Sequence, residues 1–325
     1  MTTEILQPPH LGISRLLLLG AASVVLCLSY LMVLFTPFPL VMAAVLYGRV
    51  RALALMGVGA VACLGIGTLL GDAATFVGSY VLMSLVALVI SEALARDWAP
   101  VKTVLAVGAG LIALFATSGA LYLQEVKQTP VEAVSAQIKR VQDAVEEAQK
   151  SNPAATGLFE LGLAQDAQVL AEEVLKKIPG YLMAGVFFLL WINCYLALKA
   201  RRLMQPQLDH RYSEATLLEF KVPFWGVYLL VAALLGILFN AHLGTAYASS
   251  VEVAGNWLLL VIGVFYFFQG FGTVLGFLDH HQVVGFPRSL GIMVIVFFVP
   301  WLLALVGLFD TWFEFDKKFK KKVSH

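Results

Sequence analysis

A handful of uncharged polar side chains stand alone inside long apolar runs: Tyr30, Ser79, Tyr80, Ser84, Asn193, Asn256 and Gln269. Such groups can hydrogen-bond an uncharged or zwitterionic ligand, or they can tie helices together at roughly 0.6 to 2 kcal/mol each. Asn193 and Gln269 are the leading ligand candidates, because each sits among bulky apolar neighbours where an unpaired amide would be costly. Tyr30, Tyr80 and Asn256 follow them. For each one, helix-to-helix bonding is the simpler role.

Other chemistry is poorly served. The run "DHH" at 279 to 281 offers adjacent side chains that point in different directions on a helix, with no third ligand nearby in sequence, so no metal site is expected. The chain has no phosphate-binding loop, no HExxH and no GxSxG elbow. No catalytic residue and no cofactor is expected, and nucleic acid is not an expected partner. Asp72, Glu92, Asp97, Asp279 and Asp310 all fall at the ends of apolar runs, whereas proton-coupled carriers usually keep a carboxylate in mid-span.

The elements that must hold these residues follow from composition. Hydrophobic residues make up 60% of the 325 and charged ones 13%, with a mean hydropathy of +0.84, which places the chain in the membrane. Runs long enough to span lie at 14–36, 52–71, 74–95, 102–123, 181–200, 223–243, 255–278 and 288–309. In lipid each must satisfy its own backbone, so the expected fold is all-α: a polytopic bundle of about 8 to 10 membrane segments once short or re-entrant ones are included. Cys27, Cys63 and Cys194 read as buried free thiols, and the first helix as a retained anchor.

Between the first two runs, Pro37 and Pro39 stop one helix, and Leu40 to Tyr47 supplies only about two turns before Gly48. That half-helix is expected to cross, shielded by its neighbours, so that Arg49 and Arg51 return to the side of Arg15. Arg96, Lys102, Lys199, Arg201 and Arg202 then share that side, cytoplasmic by the positive-inside rule. The same rule applied to Lys317, Lys318, Lys320, Lys321 and Lys322 calls for a re-entrant pair or another short crossing, and Pro300 divides 288–309 into two half-helices. The C-terminus is then cytoplasmic, and the lysines sit among lipid headgroups.

Segment 131–178 differs in kind. Val131, Val134, Ile138, Val141 and Val145 make one apolar stripe, and Leu163, Ala167, Leu170, Val174 and Ile178 make another, with Asn152-Pro153 between them. An amphipathic helical hairpin outside the membrane is expected. Domain boundaries follow: helices one to five in 1–123, the external hairpin in 124–179, a sixth core helix in 180–201, a cytoplasmic linker in 202–222, C-terminal helices in 223–312 and a basic tail in 313–325. Gly59, Cys63 and Gly67, and Gly272 with Gly276, are small residues four apart that allow close helix packing. Trp98, Trp225, Trp257 and Trp312 near the span ends suit the headgroup region.

The short helix after a proline-containing loop, ending in Gly and a basic residue and followed by "ALALMGVGAVACLGIGTLL", resembles the S components of energy-coupling-factor vitamin transporters. The stretches "LKKIPGYLMAGVFFLLWINCYLALKARRL", "FKVPFWGVYLL", "FYFFQGFGTVLGFL" and "LVGLFDTWFEFDKK" sharpen this into a resemblance to the YybS-like family of bacterial membrane proteins. The resemblance implies a six-helix S-component-like core, an inner-membrane location and a small-molecule ligand. It also implies a transmembrane energising partner, although Gly20, Ala21, Ala22 and Ser23 stand where those proteins carry an alanine pair four apart. The expected function is to bind and help move a small or lipid-like ligand without an ATPase of its own. The alternative is a scaffold that recruits proteins through hairpin and tail.

Overall fold

A backbone sealed from water must bond to itself, and the chain does so through helices alone among the described residues. The computed structural model describes residues 12–29, 32–127, 129–151, 165–204, 211–242 and 244–315. The elements are α1 (Ile13–Leu28), a 3₁₀ turn (Val33–Phe35), α2 (Pro37–Tyr47), α3 (Arg49–Leu70), α4 (Ala73–Ala95), α5 (Pro100–Val126), α6 (Pro130–Ser151) and α7 (Ala167–Met204). After these come α8 (Glu214–Leu218), α9 (Trp225–Leu238), α10 (Gly244–His280), α11 (Phe286–Phe298) and α12 (Pro300–Phe313). Within α3, α4, α5, α7 and α10 lie five stretches long and apolar enough to span a membrane. The α11–α12 pair, bent by 95°, makes a sixth if it is one broken span. The fold is a helical membrane bundle.

The chain divides into two compact units. One comprises Met1–Gly108, Val186–Lys221 and Tyr266–His325, the other Ala109–Gly185 and Val222–Phe265. Helices α5, α7 and α10 contribute residues to both.

In the first unit, α2 packs against α1, α3 and α4, and Leu40, Val41, Met42 and Ala43 are fully buried. The sequence expectation of one helix over 14–36 gives way to a break: α1 ends at Leu28, and Pro37 and Pro39 lie inside the first turn of α2 rather than merely stopping α1. Proline suits a first turn, where the missing N–H has no partner to lose. The half-helix is therefore eleven residues long, about 16 Å at 1.5 Å per residue. Its far end returns to where α1 began, with the Tyr47 hydroxyl donating to the Gly12 carbonyl at 3.4 Å. A single residue, Gly48, then turns the chain into α3 at φ 87° and ψ 164°, a conformation open essentially to glycine alone. Lipid-side faces carry bare apolar groups: Val58 and Val61 on α3 are 65% and 69% exposed.

In the second unit α6 opens with a capping box. The Thr129 N–H donates to Glu132 Oε2 at 2.7 Å, and the Glu132 N–H to the Thr129 hydroxyl at 3.3 Å. The Thr129 N–H, and after it the Thr129 hydroxyl, hold the Glu132 carboxyl below its usual range. Val134, Ile138 and Val141 on α6 and Val174 and Ile178 on α7 line one hollow, so the two sequence stripes do converge. The second stripe does not end before the next span, however: α7 runs on through Pro179 for 38 residues. Around Pro179, where the ladder loses a donor, the Trp257 indole donates to the Lys176 carbonyl at 2.6 Å. Gly180 leaves room for the ring, since a Cβ there would sit 2.7 Å from Trp257 Cδ1. Trp257 thus has a partner in protein beyond the headgroup setting expected of it. Asn152-Pro153 and Leu163 lie outside the described residues.

Candidate ligand pocket

Three pieces of the first unit converge on one cavity. The segment following α7 supplies Leu218, Glu219, Phe220 and Lys221, the last turns of α10 supply Gln269 through His280, and α12 supplies Asp310; the cavity measures about 220 Å³. Two backbone contacts set this arrangement. A Cβ on Gly272 would overlap the Leu218 carbonyl, and one on Gly307 would overlap the Tyr266 carbonyl, so α8 and α12 both press onto bare α10 backbone. Trp191 and Phe268 stack with centroids 4.3 Å apart and Phe220 meets Trp191 edge-on at 5.0 Å, which ties α7 to the same wall.

Asp310 is the chemical centre. Its sequence position near a helix end is as expected, yet it is only 1% exposed. Oδ2 accepts from Gln269 Nε2 at 3.0 Å and lies 3.8 Å from the Lys221 ammonium. Oδ1 is buried with no protein partner. A buried carboxylate oxygen left unsatisfied is costly and marks a place for a donor. At the rim Asp279 is held by Arg288 at 2.5 Å.

The other end-of-helix charges form a second cluster. Arg49 on α3 reaches Glu92 on α4 at 2.6 Å, and Arg96 reaches the same carboxylate at 2.5 Å. Arg201, 5% exposed, donates to the carbonyls of Leu94 at 3.1 Å and Tyr212 at 3.0 Å and lies 3.6 Å from Asp97. Arg202 pairs with Glu214 at 2.7 Å. The start of α3, the end of α4 and the end of α7 therefore share one end of the unit, and Arg51 begins α3 beside Arg49.

The sequence candidates fare unequally. Gln269 lines the cavity. Asn193, fully buried, donates to the Leu34 carbonyl in the 3₁₀ turn and to Leu189, both at 2.8 Å, and its Oδ1 is unpartnered. It stitches α7 to the break before α2. Tyr80, also fully buried, meets the Ser23 hydroxyl at 3.0 Å and lies over Gly59, where a Cβ would overlap its hydroxyl oxygen. Asn256 is exposed and donates to its own helix at Glu252. Of the packing residues, Gly59, Gly67 and Gly272 face close neighbours, Cys63 is fully buried, and no atom lies within 4 Å of a Cβ built on Gly276, which lines the cavity. Tyr30 and Lys317, Lys318, Lys320, Lys321 and Lys322 lie outside the described residues. Asp310 and Lys221 were not legible as site residues. The available signal was a lone carboxylate in the apolar stretch opened by Pro300.

A family model covers residues 13–311, that of the family described as "Predicted membrane protein (DUF2232)". The chain belongs to that family. No curated protein and no solved structure matches the chain. The pocket is therefore read from this family member's own residues.

Proposed function

We propose that this membrane protein binds a small ligand with a hydrogen-bonding head group in the Asp310 pocket and helps to move it across or along the bilayer with a transmembrane partner. The observation that carries the reading is Asp310, a residue of the cavity lining whose Oδ1 is buried with no protein donor. The lining is mainly apolar with a few convergent polar groups, the usual make-up of a ligand site. The first unit's α1–α4 interior argues against a site among those helices: Tyr80, Met42 and Leu40 fill it.

The broken entry into α2, shielded on three sides, supports the kinship with S components and the YybS-like family, and with it a bacterial inner-membrane location. The basic cluster supports a cytoplasmic placement of the Arg49 and Arg201 end. The α11–α12 bend carries the chain from Arg288 back to a cavity also lined by Asp279, which supports a re-entrant pair and a cytoplasmic C-terminus. Binding rather than catalysis is the role assigned.

Native mass spectrometry and thermal unfolding of the purified protein across vitamins, nucleobases, amines and lipid headgroups test the reading. A ligand retained by the native chain and lost in Gln269→Leu supports it; no ligand and no shift across the panel contradicts it. A scaffold reading is favoured by the filled α1–α4 interior, and proteins co-purifying without any ligand would support it.

A further inference from the structure

The charge of the pocket says what kind of head group it takes. Its lining holds three carboxylates, Glu219, Asp279 and Asp310, against one ammonium, Lys221, and the imidazole of His280. Asp279 is matched by Arg288. Asp310, the deepest of them, is matched by Lys221 only at 3.8 Å, longer than the roughly 2.7 to 2.9 Å of a charge-assisted hydrogen bond. Lys221 reaches in on a flexible four-carbon stem from a position whose side chain is 39% exposed. A buried carboxylate with one oxygen lacking a protein donor, and an ammonium 3.8 Å from the other, is a place that a second cation suits.

Resting on the pocket reading above, we infer that the ligand is a small organic cation bearing N–H donors, such as a primary amine. Its ammonium bonds Asp310 Oδ1 and takes over the charge that Lys221 supplies to the carboxylate. Gln269 keeps Oδ2 oriented by its 3.0 Å bond. Leu218, Phe220 and Leu275 provide an apolar wall for a short carbon body. The volume of about 220 Å³ suits a head group with a short chain. An anion would face the buried Asp310 carboxylate.

Three probes of matched shape decide the matter: hexylammonium, hexanoate and 1-hexanol, titrated against the full chain in neutral-lipid nanodiscs by equilibrium dialysis and thermal unfolding. Hexylammonium is expected to bind at least tenfold more tightly than the other two. Lys221→Ala should tighten it severalfold by removing the competing ammonium, and Asp310→Asn should weaken it at least tenfold. The lysine variant decides alone if the aspartate variant does not fold. Hexanoate binding best and being lost in Lys221→Ala would overturn the cation inference while leaving the pocket reading standing. No binding by any of the three would overturn both.

Discussion

The Asn193 amide donates to the carbonyl of Leu34 at 2.8 Å, joining α7 to the 3₁₀ turn that interrupts the first helical hairpin. A break in a helix inside a membrane leaves carbonyls without water to satisfy them, and this one is satisfied by a side chain from elsewhere in the fold. Replacing Asn193 by Leu should destabilise the protein by about 1 to 3 kcal/mol, the cost of leaving a part-buried acceptor without its donor. Thermal unfolding in detergent measures this, and an unchanged midpoint would show the bond to be dispensable.

Gly48 turns α2 into α3 in a single residue at φ 87°. Gly48→Ala should cost about 1 to 3 kcal/mol of backbone strain, read as a lower unfolding midpoint. Gly57→Ala, on an open face of α3, is the control and should be neutral or slightly stabilising.

Arg201 bonds two carbonyls from different segments, Leu94 and Tyr212. A lysine has one ammonium and cannot span both acceptors as the guanidinium fork does. Arg201→Lys should therefore behave nearly as badly as Arg201→Ala in unfolding assays. Full rescue by lysine would reduce the role of Arg201 to charge alone.

At the start of α6, Glu132 is held below the ordinary carboxylate range by the Thr129 N–H and hydroxyl. A lowered folded value means the cap stabilises the helix above the unfolded carboxylate value and is lost as pH falls through the folded one. Proteolytic nicking near residue 130 should therefore rise on acidification of the native chain, and Glu132→Gln should flatten that dependence.

Helical class and membrane residence were legible from composition, because 60% hydrophobic residues leave few alternatives. Paired prolines also announced the interruption before α2, though not that they would start the next helix. The continuity of α7 was hidden, since Lys176, Lys177 and Pro179 look like a boundary until Trp257 is seen to bond the carbonyl of Lys176. The pocket was least legible. Gln269 stood out as a lone amide, but Asp310 meets it because α12 crosses α10 where Gly270 and Gly307 have no side chains, and Lys221 is brought close where α8 presses on Gly272. Sequence patterns report local burial well and such long-range crossings hardly at all.

On the proposed reading the Asp310 pocket lies on the cytoplasmic side, the side assigned to the Arg49 and Arg201 end of the first unit. Gly276 lines it with free space around its Cα, so Gly276→Cys can be introduced without crowding, and Cys27, Cys63 and Cys194 are buried and give a low background. A membrane-impermeant maleimide should label this variant in inside-out vesicles and leave it untouched in intact cells. Labelling from the outside only, or in neither preparation, would contradict the account.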